Sequence, residues 1–545
     1  MKRSTLVAVI VLALCALRLV HLEADVPRDL TTWSVGVFVD EGYKTLDARN
    51  LAQFGTAHWH PNDDYPGWRN ASPLPHWAYY ASFATLGPHL GSARLVTVLC
   101  FAALLIGFTA SQWRRYSTGL LTLGLVLLGT GHVLFFFSKI ALLEVPLALC
   151  LCAALFGLAR LEERLTLGAV LGLALAAAVA TFGIKRSAPV YFAPVALGLL
   201  VSVLVGEHNQ RRARTLVVLG SLLCAALALA FWWSGGHRLP AFDLAPRHLA
   251  SSLLWSTMMR SSGPLLALGL ACAVHALIVE PRRYLGHPYR ASLLALVLLG
   301  PLALALFRYQ PLRYHAPLLP AHVLLALEWL HLRTWAAPRP ARLRWWAVPP
   351  LLAATCWLLA CLVFSLHRFV LTPLFWPEWK LTDAVPGAAL IGFSAVTLLF
   401  GLWVGRGLLT GRRALYCVAV LIATAGGRDL FVLGRFFGAP EWRQREISTW
   451  LAEHVSPAES VAGDWAPMLT LGTPIKALYM NPIVNRPSRI LRLRPDYLLV
   501  MGGWPVDQFL IEQGKVDLLP AIFESEYAGR WIKLIPLEYR QPAPR

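Results

Sequence analysis

Two acids stand side by side at Asp40-Glu41, in the run Phe38-Val39-Asp40-Glu41-Gly42-Tyr43-Lys44. A carboxylate held in one orientation is the group that takes a proton from a hydroxyl as its oxygen attacks carbon. Tyr43, Leu46, Asn50, Leu51 and Phe54 follow at helical spacing, and Gly55 is a natural stop, so the pair is expected at the head of a surface-lying helix. There Asp40 can equally cap the helix by accepting its first free amides, with Glu41 favoured by the positive helix end. A cap also fixes a carboxylate's direction, so the two roles are compatible.

Further candidates are basic. Lys139 and Glu144 flank a short turn over 138–146, Lys185 and Arg186 lie in 181–186, and Arg308, Arg313, Tyr314 and His315 occupy 308–317. Cations gathered there can hold a phosphate and stabilise the charge that grows on it as a bonded group departs. The structural alternatives are snorkelling to lipid headgroups and an internal Lys139–Glu144 pair that settles helix packing. His58, His60, Asp63 and Asp64 match no strong ligand spacing, so no metal is expected. The aromatics between Trp59 and Tyr80 suit sugar rings or a membrane interface.

The elements that must position these groups are set by composition. The 545 residues are 57% hydrophobic and only 14% charged, where a soluble globule carries charge on about a quarter of its residues. Mean hydropathy is +0.55. Apolar runs over 6–20, 93–110, 118–137, 141–158, 165–182, 189–205, 216–233, 264–279, 291–307, 316–332, 345–364, 387–404 and 414–433 are each near membrane-spanning length. That makes about thirteen crossings. The first is read as a retained anchor, because no small-x-small cleavage site follows it.

The net charge of +19 comes mostly from arginines clustered between these runs, which suits lipid headgroups and argues against nucleic acid. Placed on alternate loops, Arg114/Arg115, Arg160/Arg164, Arg211/Arg212/Arg214, Arg282/Arg283/Arg290, Arg333/Arg339/Arg342/Arg344 and Arg406/Arg412/Arg413 all fall on the cytoplasmic side. The loop 23–92 and the tail 434–545 then face outward. The tail mixes a helix-like stretch, 442–454, with strand-like runs at 460–463, 497–501 and 531–536, and reads as a small α/β domain. All nine cysteines lie in apolar runs without a CxxC pair, so neither disulfides nor a thiolate metal site are expected.

The expected architecture is therefore an all-α polytopic membrane domain over 1–433, with the acidic motif in loop 23–92, followed by a small extracytoplasmic α/β domain over 434–545.

The order of these motifs resembles the GT-C superfamily, in the branch of protein O-mannosyltransferases and bacterial aminoarabinose (lipid A) transferases. Asp40-Glu41-Gly42-Tyr43 looks like its acidic motif, and Pro73-Leu74-Pro75-His76-Trp77 like its proline-rich re-entry. Ser138-Lys139-Ile140-Ala141-Leu142-Leu143-Glu144 resembles its basic-x-alanine-leucine-x-acidic turn, Gly183-Ile184-Lys185 its lysine after the fifth span, and Arg313-Tyr314-His315-Ala316-Pro317 its arginine and proline turn. The resemblance implies a glycosyltransferase of a bacterial inner membrane, with active site and C-terminus periplasmic. It would move a sugar from a polyprenyl-phosphate donor to a lipid, glycan or protein acceptor by inverting displacement, with no cofactor. It further implies Asp40 and Glu41 as catalytic acids, Lys139, Lys185, Arg313 and His76 on the donor phosphate, and Glu144, Tyr43 and Tyr314 on substrate. Where the family has a lysine before the prolines, this chain has Ala71-Ser72, and His76 or Lys44 is the candidate replacement. The rival readings are a lipid or sugar transporter and a polysaccharide ligase.

Overall fold

The computed structural model describes residues 2–27, 36–58, 68–160, 167–205, 253–305, 312–332, 412–480, 492–501, 516–527 and 530–539. The apolar runs expected at 216–233, 345–364 and 387–404 lie outside them. The helices are, in chain order, α1 (Arg3–Leu19), α2 (Gly36–Phe54), α3 (Trp68–Ala71), α4 (Pro73–Leu86), α5 (Leu90–Gln112), α6 (Thr118–Thr130), α7 (His132–Phe137), α8 (Glu144–Arg160), α9 (Leu167–Ala178) and α10 (Pro189–Val205). They continue as α11 (Leu253–Val279), α12 (Pro281–Leu285), α13 (Pro288–Ala305), α14 (Leu319–Leu332), α15 (Arg412–Gly438), α16 (Arg443–His454) and the single turn α17 (Ala466–Leu469). The strands are β1 (Ser460–Gly463), β2 (Lys476–Tyr479), β3 (Tyr497–Met501), β4 (Val516–Leu518), β5 (Phe523–Tyr527) and β6 (Arg530–Tyr539).

Two compact units divide the chain. One gathers 1–15, 101–135 and 144–433; the other gathers 16–100, 136–143 and 434–545. The tail is thus one part of the second unit, which also contains the first long loop.

The helices of the first unit follow the apolar runs, with two local departures. The run 118–137 forms two helices, because Gly131 leaves helical geometry (ψ 107°) and ends α6 one residue before α7 begins. The run 165–182 ends in a π-helical turn, Val179–Ile184, that shifts the backbone register just before Lys185. Leu12 on α1, Leu99 and Ile106 on α5, Leu175 on α9 and Leu204 on α10 are each more than half exposed. Large apolar side chains turned outward from several helices need an apolar surrounding, which a bilayer supplies. By length and composition, one described helix, Leu90–Gln112, is sufficient alone to cross a membrane.

One ion cluster ties this unit together. Glu328 of α14 is fully buried. Arg115 reaches both its oxygens at 2.8 and 2.9 Å, Arg290 of α13 donates at 2.7 Å, and the Tyr116 hydroxyl at 3.1 Å. The arginine pattern had put Arg115 and Arg290 on one side of the membrane, and here they share a carboxylate.

In the second unit, α2 runs as a helix to Gly55, whose φ of +73° suits glycine and ends it. The sheet has the order β2-β1-β3-β6-β4, with β5 also on β6. Strand β1 is parallel to β2 and β3, whereas β6 is antiparallel to β3, β4 and β5. In β6, Ile532 and Leu534 are fully buried while Trp531 before them is exposed and Lys533 between them half-buried, the period-two alternation of a half-covered strand. Ala462, Leu478, Met480, Leu493, Leu498 and Val516 form the apolar layer. The helix and the three strand-like runs expected in the tail are present; β2, β4 and β5 are additional.

Glu328→Gln leaves two half-buried guanidinium groups without their shared charge. Solvent reaches both arginines, so the loss is below the roughly 3–5 kcal/mol of a fully buried pair, and a fall in the thermal unfolding midpoint of the detergent-solubilised protein is expected. An unchanged midpoint contradicts this account of the cluster.

Candidate functional site

The acidic motif lies on α2. Asp40 is the fifth residue of that helix, so it is not the cap; the helix begins earlier, at Gly36, and takes in the apolar residues before the acid. Its carboxylate is 16% exposed and lies 3.9 Å from the buried Lys44 ammonium, one turn further on. Asp40 is thus an acid with a solvent edge and a cation one helical turn away.

Glu41 is used differently. It is fully buried, and Arg94 of α5 grips both its oxygens, Nε at 2.8 Å and Nη2 at 3.0 Å. The Ala141 amide donates to the same carboxylate at 2.8 Å. Arg94 in turn donates to the carbonyls of Leu22 and Ala24. Both oxygens are taken up by these donors, so Glu41 fixes one face of α2. Arg94 was not singled out in the sequence, although an arginine inside the outer end of a span was the available signal.

Lys139 occupies the turn between α7 and α8. Its ammonium donates to the Val20 carbonyl and lies 4.4 Å from the Phe436 ring centre. Burial, aided by Arg94 and Arg18, pulls its pKa down to about 7. His76 of α4 is buried against Trp77, edge to face. Burial and the nearby Arg69 hold it down to about 4, so it is neutral at physiological pH. As a phosphate partner it can therefore only donate a hydrogen bond. Tyr43 stacks on Tyr479, ring centres 4.1 Å apart.

The remaining predicted residues meet in the first unit. Glu144, the fully buried first residue of α8, accepts from Lys185 Nζ at 2.6 Å, and Arg313 Nε lies 3.9 Å from the same oxygen. Lys185 leaves the π turn in extended geometry, with its amide bonded to the Ala180 carbonyl. Arg313 and Tyr314 sit in a 3-10 turn, Leu312–Leu318. The Lys185 ammonium lies 4.2 Å from the Tyr314 ring centre, and the Tyr191 hydroxyl fixes the Tyr314 carbonyl at 2.7 Å. Two cations thus share one carboxylate oxygen, and guanidinium and ammonium groups are also the donors that suit an anionic ligand. A separate apolar pocket bounded by Leu127, His132, Pro264, Leu319 and Asp429 contains none of the predicted residues. His60, Asp63, Asp64 and Arg308 lie outside the described residues.

Lys139 makes stability depend on pH. Between pH 7 and its ordinary value of 10.5 the unfolded chain holds a proton there that the folded chain has released. Stability therefore rises with pH across that window, and the contribution is lost as pH falls through 7. Lys139→Met is expected to remove up to ~1.4 kcal/mol per pH unit of slope, read by denaturant unfolding in detergent. An equal slope in both proteins contradicts the assignment.

No family model matches the sequence, and no curated protein matches it. Solved structures do. ArnT from Cupriavidus metallidurans in the apo state is 14% identical, with 97% of each chain covered and a TM-score of 0.52. The same protein bound to undecaprenyl phosphate is also 14% identical with 97% of each chain covered, at a TM-score of 0.49. The match to the apo structure runs over nearly the whole length of both chains and shows the architecture: this chain has an ArnT-like fold.

Proposed function

We propose that the chain is a glycosyltransferase that takes a sugar from a polyprenyl-phosphate carrier and attaches it to an acceptor outside the cytoplasm. The observation that carries this reading is the division of labour among its acids. Glu41 and Glu144 are fully buried and paired with cations, whereas Asp40 is the acid of the motif that keeps solvent contact, with Lys44 beside it. ArnT, whose fold this chain has, has been solved with undecaprenyl phosphate, which supports that class of carrier as the donor.

The reaction is a single inverting displacement. Asp40 accepts the proton of the acceptor hydroxyl, and the oxygen forms a bond to the anomeric carbon. The bond from that carbon to the phosphate oxygen breaks, and its electron pair leaves with the polyprenyl phosphate. Lys185 and Arg313, with Lys139, offset the charge that grows on the departing phosphate. Glu144 holds Lys185 and Arg313 in register, and Tyr314 packs beside the lysine. An arriving phosphate would also keep Lys139 protonated above pH 7. Asp40 supports the positive character of the sugar ring while serving as base. The same reading gives the helical domain about thirteen crossings and puts the site and the C-terminus on the periplasmic face of a bacterial inner membrane.

Purified protein supplied with labelled polyprenyl-phosphate sugar and envelope lipid extract is expected to release carrier phosphate and form a labelled glycoside. Asp40→Asn, folded by its unfolding midpoint, is expected to lose about 10²–10⁴-fold in rate. Label that crosses a vesicle membrane without a glycosidic product indicates a transporter, and an Asp40→Asn variant at full rate removes Asp40 as the base.

A further inference from the structure

The helix that carries Asp40 is held from two sides within the second unit. On one side stands the Glu41–Arg94 pair. On the other, Gly42, Leu46, Arg49 and Gln53 line up at helical spacing, about half a turn away from the Asp40–Lys44 edge.

That second face meets the tail. Gly42 lies so close to α17 that a Cβ there would come within 2.3 Å of the Met468 backbone nitrogen, an approach that only glycine allows. Arg49 is fully buried and donates through Nη2 to two carbonyls of the following turn, Thr473 at 2.8 Å and Ile475 at 2.6 Å. Gln53 adds a bond to the Thr473 carbonyl at 3.0 Å. At the edge of this face, Tyr43 stacks on Tyr479, the last residue of β2, at 25° between ring planes. Ala48 of α2 shares an apolar cluster with Met468 and Leu471.

A buried guanidinium is costly unless it is well answered, and carbonyl dipoles answer it less fully than a carboxylate. Arg49 bonds carbonyl oxygens and the Asn50 amide oxygen. Burial lowers its pKa to about 9, still above physiological pH, so the charge persists. Such expense is understandable where the bonds fix the direction of a helix rather than merely bury it.

We propose that the tail segment 466–479 is a clamp that positions the Asp40 helix, with Arg49 and Tyr479 as its positioning residues. The tail is then a working part of the transfer site. Its kinetic consequence rests on the transferase reading above; the clamp itself does not.

The test uses full-length protein in nanodiscs, with Arg49→Gln, Tyr479→Ala and Tyr479→Phe. Amide hydrogen exchange reports the clamp directly. In Arg49→Gln and Tyr479→Ala, exchange across 43–54 is expected to rise about tenfold while β1 and β3 are unchanged. Tyr479→Phe keeps the stacked ring and is expected to match the wild type, which separates positioning from failed folding. In transfer assays the two disruptive variants should lose up to about 100-fold in kcat with donor KM little changed, the signature of a misplaced reacting group. Unchanged exchange across 43–54 overturns the clamp. Raised exchange with wild-type kcat overturns its role in positioning Asp40. A wild type that transfers no sugar overturns the transferase reading, while hydrogen exchange still decides the clamp.

Discussion

A charge buried in a chain this apolar must be answered within a few ångströms, and that constraint organises the molecule. Three carboxylates, Glu41, Glu144 and Glu328, have no exposed side-chain surface, and each is met by basic side chains. Each joins segments far apart in sequence. Glu328 draws in Arg115 and Arg290, Glu144 draws in Lys185 and Arg313, and Glu41 locks α2 to Arg94 and to the Ala141 amide. Removing water makes these pairs demanding in geometry, which is why they fix helix direction as well as helix contact.

The same constraint separates structural acids from a chemical one. Neighbouring residues on one helix turn, Asp40 and Glu41, have opposite fates: Glu41 is consumed by a bidentate arginine, and Asp40 keeps a solvent edge with a lysine at a longer 3.9 Å. A helix carrying a reactive carboxylate gains from being rigid on its other faces. In the second unit that rigidity comes from an ion pair on one side and backbone carbonyls of the tail on the other.

Much of this was legible in the residues. The helix after Asp40 and its stop at Gly55 follow from spacing and from glycine's freedom at positive φ. Grouping cations by membrane side put Arg115 with Arg290, and Lys185 with Arg313, without saying which carboxylate either pair would share. Partner choice was not legible: Glu144 was read beside Lys139 in sequence and pairs with Lys185 instead of serving only as its neighbour's counterion. The π turn before Lys185 and the break at Gly131 carry no residue signature strong enough to read, because both arise from packing. Strands β2 and β4 are only four and three residues long, too short for alternation to stand out. Glu41 looked as catalytic as Asp40, since only the distant Arg94 distinguishes them.

The proposed transfer needs Asp40 as its base and Lys185 and Arg313 as the charges that offset the departing phosphate. A double-mutant cycle on the transfer rate tests it most directly, with Asp40→Asn, Lys185→Met and the pair. Groups that serve one step are strongly non-additive, so the double variant should lose little beyond the worse single variant. Losses that multiply independently would contradict the account.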